Sequence, residues 1–184
     1  MTRLKALSPD QATGKTKELF TAIEAKLGMV PNMMRTMGNS SAFLEGYLNL
    51  GDALGAGTLG AKTGELIALT VAESNSCDYC LSAHTYIGAN LLKIDAESLE
   101  AARKGNASNT KTDAILKFVK VLLSKKGSVN DADVKTVKAA GVTEGEIGEI
   151  VGHVALNILS NYFNNTAKTE IDFPVVETFK LATV

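Results

Sequence analysis

The sequence predicts an all-α fold on three observations. Apolar residues recur every three to four positions in segment after segment. No sustained apolar–polar alternation marks a strand, and the segments are punctuated by glycines and helix-capping residues. The chain has 184 residues, 45% of them hydrophobic, which suits one compact domain with a real core. No repeat, low-complexity tract or linker divides it, so residues 1–184 read as a single domain with an irregular tail from about Thr169 onward, past Pro174.

The elements follow in order. Ser8-Pro9 with Asp10 and Gln11 reads as the cap and first turn of a helix. Its apolar stripe is Leu19, Phe20, Ile23 and Leu27, and Gly28 ends it. Pro31 starts a short helical turn through Met37, stopped at Gly38. Ser40 or Ser41 caps a helix carrying Phe43, Leu44, Tyr47, Leu48 and Leu50, which Gly55 and Gly57 break. Helices from about Gly60 to Glu73 and from about Cys77 to Leu92 are separated by Ser74-Asn75-Ser76. Asp95 opens a helix ending near Gly105, Thr110 opens another ending before Gly127, and a shorter one spans Asp131 to Ala140. The longest runs from Thr143 to about Lys168, with Thr143 and Glu146 spaced for a capping box. In it Ile147, Ile150, Val151, Val154, Ala155, Ile158, Leu159, Tyr162 and Phe163 cover more than one face. Such a helix is either central to a core or shared between a core and a subunit contact. The second reading, with few aromatic residues to build a dense single-subunit core, predicts a closed homo-oligomer.

Charge narrows the partners. Lysine and arginine number 19 against 20 acidic residues, so neither a nucleic-acid surface nor an acidic tail is expected. No window approaches the roughly 18 to 20 uninterrupted apolar residues of a membrane span. The first residues lack a secretory pattern, so a cytoplasmic location is the expectation. Thiols there stay reduced, and a close cysteine pair is expected to be catalytic or metal-binding rather than a structural staple.

The two cysteines, Cys77 and Cys80, lie three residues apart. Random placement of two cysteines in such a chain would give that spacing about once in ninety sequences. At a helix start, the dipole and unpaired N–H groups favour a thiolate. Cys80 and His84 fall at i and i+4 on one face, so the imidazole is placed to take the thiol proton. Glu65 lies on the preceding helix, ten residues before a reversal near Asn75, and His84 lies nine after it. In an antiparallel hairpin their heights differ by only ~1.5 Å, which puts the carboxylate beside the imidazole. The catalytic candidates are therefore Cys80, Cys77, His84 and Glu65. Two inert buried thiols, a satisfied core histidine and a surface glutamate are the plainer reading. Zinc competes as well: two cysteines and His84 supply three ligands, with Asp78 or His153 needed as a fourth, but no second C-x-x-C exists. No metal and no cofactor are expected. His153, flanked by Glu149 and Asn157 at i−4 and i+4, reads as structural.

At these residues the sequence resembles the alkylhydroperoxidase AhpD-like branch of the carboxymuconolactone decarboxylase superfamily. The spacing of Glu65, Cys77, Cys80 and His84 is similar to that family's glutamate, C-x-x-C and histidine. Gly28-Met-Val-Pro-Asn32, Ala72 to His84, and Asn161-Tyr-Phe-Asn-Asn165 leading to Ile171-Asp-Phe-Pro174 resemble its peroxidase-related members. The resemblance implies an AhpD-like helical domain assembled as a homo-trimer or homo-hexamer. It also implies a peroxidase that reduces peroxide at Cys80, closes a Cys77–Cys80 disulfide, and is reset by a dithiol donor, a lipoyl group or a thioredoxin-like protein. Tyr79 is a departure, since better-known members carry a second histidine there and tyrosine is a poor base at neutral pH. Two other functions stay open: a lyase or isomerase on a small cyclic acid using Glu65 and His84, and a non-enzymatic redox-sensing or zinc-stabilised oligomer.

Overall fold

The structure, a computed structural model, describes residues 1–179. Among the described residues there are nine α-helices, one 3-10 turn and no strand. In chain order they are α1 (Gly14–Leu27), α2 (Asn32–Met37), α3 (Ser41–Gly55), α4 (Gly60–Ser74) and α5 (Asp78–Asn90). Then come α6 (Ala96–Arg103), α7 (Thr110–Ser124), α8 (Asp131–Ala139) and α9 (Glu144–Ala167).

Helix α4 is the hub, packed against α5, α6, α7 and α9. The sequence dictates this: Ile67, Ala68, Leu69, Thr70, Val71 and Ala72 are consecutive, all buried, and apolar but for one hydroxyl. A helix apolar on every side has no face to give to water and goes to the middle. Its one hydroxyl is satisfied, since Thr70 Oγ1 donates to the carbonyl of Ala102 at 2.6 Å and ties α6 to the hub. Truncating Leu69 to alanine there would cost roughly 2–5 kcal/mol.

The expected boundaries hold to within a residue or two, with one difference at the start. Ser8 and Pro9 open a separate 3-10 turn, Pro9–Gln11, and α1 begins only at Gly14. Ala12 and Thr13 are extended, Ala12 is buried, and Gly14 takes φ +53°, so the chain changes direction between the two elements. Five later helix starts are capped by oxygen-bearing side chains: Ser40, Asp95, Asn109, Asn130 and Thr143 each accept a backbone N–H, and Thr143 with Glu146 completes the capping box.

Lys168, left-handed at φ +49°, closes α9, and residues 169–179 contain no helix or strand. This tail is nevertheless tied down along the start of α5. Asp172 Oδ2 accepts the Asn32 N–H, the Val176 N–H donates to Ser82 Oγ, and the Thr178 N–H donates to Asp78 Oδ1. Arg103 anchors its end by donating to the Glu177 carbonyl and lying 3.9 Å from the centre of the Phe179 ring. No helix among the described residues is long and apolar enough to cross a membrane.

Candidate active site

The site is built on the hairpin of α4 and α5. The chain reverses through Asn75 and Ser76, the latter at φ +50°, and the Cys77 N–H donates back to the Ala72 carbonyl at 3.0 Å. Ser74, Asn75 and Ser76 are all residue types suited to cap α5. The structure instead gives that position to Cys77, whose Sγ accepts the Cys80 N–H at 3.3 Å. The three polar residues are otherwise engaged: Ser74 Oγ donates to the Thr70 carbonyl, Asn75 Nδ2 donates to Asn161 Oδ1, and Ser76 makes the left-handed turn.

Cys77 therefore stands at the positive end of α5, and Cys80 is in its first turn. Their sulfurs are in direct contact and their Cα atoms are 5.3 Å apart, within the span a disulfide requires. Both are buried, at 0% and 2% exposure.

Glu65 on α4 and His84 on α5 face each other across the hairpin, with Oε1 and Nδ1 2.8 Å apart. Gly88, one turn beyond His84, makes room: a Cβ there would sit 2.6 Å from Leu99 and 3.6 Å from Glu65 Cγ. A carboxylate on Nδ1 fixes the neutral tautomer, with the proton on Nδ1 and Nε2 left as acceptor. Burial pushes the His84 pKa down, but the charge of Glu65, its hydrogen bond and a further one with Asn157 outweigh that, so the net shift is upward. Glu65 thus makes this imidazole a stronger base than an isolated one.

Cys80 and His84 open onto one cavity of about 230 Å³, walled by Met33, Met34, Tyr47, Tyr79 and Phe173. Leu27, Met29, Tyr86 and Leu91 are exposed at its rim, beside Lys26. Neither phenol is a proton carrier at neutral pH. Burial, with the charge of Glu65, raises the Tyr47 pKa to about 12. Burial raises Tyr79 further, and its hydroxyl accepts the Met33 N–H at 3.1 Å. Tyr79 also meets Phe173 edge to face, so at the position between the cysteines it acts as a wall.

The sequence reading overlooks the contribution of α9. Asn157, Ser160, Asn161 and Asn164 are all at most 5% exposed. Their spacing of three and four residues makes one polar stripe that faces the hairpin. Asn164 Nδ2 lies 3.3 Å from Cys80 Sγ and 3.1 Å from Met33 Sδ, while Asn161 and Asn165 hold the Asn75 turn. The available signal is that run of amides at core spacing within an otherwise apolar helix. His153, also on α9, is partly buried, and its Nε2 has no partner. Burial lowers its pKa against the charges of Glu149 and Glu65. The Glu149 carboxylate itself is taken up by Thr58 and the Leu59 N–H. Among the described residues no group of three or more His, Cys, Asp and Glu side chains converges as a metal site.

Comparison with known proteins places this geometry. Residues 41–124, which contain Glu65, both cysteines and His84, match the carboxymuconolactone decarboxylase family. No curated protein matches the sequence. Among solved structures, the chain is similar to the alkylhydroperoxidase AhpD core of an uncharacterized peroxidase-related protein from Ralstonia eutropha JMP134. That match has a TM-score of 0.83 at 22% identity, covering 93% of this chain and 92% of that one. An uncharacterized peroxidase-related protein from Silicibacter sp. TM1040 gives 0.78 at 22% identity, over 92% and 94%. The debrominase Bmp8, as a cysteine-to-alanine variant in complex with 2,3,4-tribromopyrrole, gives 0.76 at 21% identity, over 94% and 92%.

Proposed function

We propose that the chain, whose residues 41–124 match the carboxymuconolactone decarboxylase family and whose fold is AhpD-like, is a dithiol-dependent hydroperoxide reductase. One observation carries the reading: Cys80, its sulfur touching that of Cys77, shares a cavity with an imidazole held by a carboxylate. The roles follow from chemistry. His84 takes the Cys80 proton, and Glu65 stabilises the imidazolium. The Cys80 thiolate attacks an oxygen of ROOH, so that an S–O bond forms as the O–O bond breaks. The departing alkoxide takes the proton from His84 and leaves as ROH. Cys77 then attacks the sulfenic sulfur, the disulfide forms, and water leaves. A dithiol donor, lipoyl or thioredoxin-like, reduces that disulfide by exchange and is itself oxidised. The balance is ROOH plus one dithiol to ROH, water and one disulfide. A cavity with mostly apolar walls favours an organic hydroperoxide over hydrogen peroxide.

Assembly belongs to the same reading. A groove of about 810 Å³ runs between α7 and α9, lined by Leu122, Leu123, Val151, Ala155, Ile158 and Tyr162. A second copy of the chain is the occupant proposed, within a homo-trimer or homo-hexamer.

The test is mass spectrometry of the thiols after brief peroxide and then dihydrolipoamide. The expected result is a disulfide that dihydrolipoamide removes. Both thiols still free after peroxide would overturn the reading. A second reading rests on the aromatic walls of the cavity, which also fit a halogenated ring like that bound to Bmp8. The same thiols would then convert an aryl bromide and a dithiol to the arene, bromide, a proton and a disulfide. Bromide release from tribromopyrrole, measured beside peroxide consumption, separates the two.

A further inference from the structure

The buried stripe on α9 needs a reason. An amide withdrawn from water without a full set of partners is costly, and α9 buries three. Asn161 has a structural use, since it accepts from Asn75 and holds the turn before Cys77. Asn164 makes no such link. Its Oδ1 is buried without a partner, and its Nδ2 is directed at two sulfurs, Cys80 Sγ at 3.3 Å and Met33 Sδ at 3.1 Å. A neutral thiol or thioether is a weak acceptor, poor return for a buried amide. A thiolate is a strong one, because a hydrogen bond to an ionised acceptor is about twice as strong as a neutral one.

We propose that Asn164 is a catalytic residue that donates a hydrogen bond from Nδ2 to the Cys80 thiolate, stabilising the anion and aiming its free lone pairs at the cavity. The assignment rests on Cys80 being the attacking sulfur, as proposed above. Asn164 complements the other groups around Cys80. The helix terminus acts along the axis of α5, and His84 removes the proton from one turn away on the same helix. Asn164 comes from α9 and holds the sulfur itself. The other titratable groups facing this space are Tyr47 on α3, Tyr79 and Tyr86 on α5 and Lys26 on α1, whose ammonium is paired with Asp52 at 2.8 Å, with Glu65 on α4 behind His84. None of these side chains donates to Cys80 Sγ in the structure. Met33 Sδ, sharing the amide, keeps Nδ2 oriented while the thiol is protonated.

The experiment titrates Cys80 by thiolate absorbance at 240 nm in reduced Cys77→Ser protein, where serine preserves the helix cap. Against that background Asn164→Ala should raise the Cys80 pKa by about one unit, a tenfold loss of thiolate below the pKa. Asn164→Asp, nearly the same shape but with an acceptor where the donor was, should raise it further. Thr143→Ala removes the cap of the same helix far from the sulfurs, so it should lower stability and leave the titration unmoved. If the Asn164 variants do not fold, the Asn164 side-chain amide proton of the Cys77→Ser protein gives the answer by NMR. It should move downfield as Cys80 ionises, and a resonance indifferent to that ionisation overturns the proposal. So does an unchanged Cys80 pKa in either folded Asn164 variant. The two readings fail separately. A shifted titration without peroxide turnover removes the proposed reaction and keeps Asn164, whereas turnover with an unmoved titration does the reverse.

Discussion

Helix α9 presents two opposite faces, and they invert the usual rule. Toward the hairpin it buries Asn157, Ser160, Asn161 and Asn164, while on the far side Val151, Leu159 and Tyr162 are 47%, 36% and 60% exposed. An ordinary surface helix keeps its apolar stripe inside and its amides in water. Each departure carries a cost that packing within one subunit does not offset. The inner face gains by serving the sulfurs and the turn that presents them. The outer face, joined to the groove along α7, gains only when another surface covers it.

The comparison breaks most completely at the sulfurs. Cys80→Ser is expected to drop peroxide turnover to background, while Cys77→Ser should give a single event that stops at a sulfenic acid on Cys80, detected by dimedone adduct mass. Activity retained in both variants would instead favour acid–base chemistry by Glu65 and His84 alone. On the outer face, Tyr162→Glu with Leu159→Glu should shift light scattering from an oligomer to the 19.4 kDa protomer. Helicity and thiol titration should stay intact. A protomer mass for the unaltered chain at micromolar concentration would sink the assembly reading. Between the helices, His84→Gln should slow the reaction by roughly 10²-fold, the usual worth of a positioned base. Glu65→Gln should slow it by roughly tenfold, because it weakens that base without removing it. Equal losses in the two variants would argue that the pair acts through packing.

What was legible in the sequence follows the range of each interaction. Cys77, Cys80 and His84 lie within one stretch, and Glu65 enters through simple helix geometry, so spacing alone brings the four together. The pattern also marks α4 as a helix, but it points to α9 as the central one, and only the packing puts α4 at the hub. Asn164 reaches Cys80 across 84 residues of chain, and local periodicity places its amide on the core face without showing what it meets. Cys77 as a cap was hidden differently. Serine and asparagine are better capping types, and only tertiary demands, such as the Asn75–Asn161 bond, take them out of use. The tail shows the converse. Its sequence signals only irregularity, yet hydrogen bonds to Asn32, Ser82 and Asp78 fix its path beside the site.

The smallest expected effect sets the two histidines against each other. Both contact the buried region between α4 and α9, but their shifts have opposite sign. The pKa of His84 is raised in the folded state, so its contribution to stability is fully present below about pH 6.5, the unfolded value. That contribution is lost as pH rises through the folded pKa. The pKa of His153 is lowered by burial, so the unfolded chain takes up a proton first as pH falls below about 6.5, and stability is lost in the acid direction. In the unaltered protein these two dependences oppose each other. Substituting one histidine exposes the other. Compared with the unaltered chain, His153→Gln should gain melting temperature at pH 5 relative to pH 8, and His84→Gln should lose it. Each change should be a few degrees at most, since about 1 kcal/mol moves a domain of this size by only about 2–4 °C. Thermal unfolding of the three proteins at the two pH values measures both slopes. Parallel curves would mean that Glu65 does not hold the His84 proton, and that the inner face of α9 shapes the site without tuning its charge.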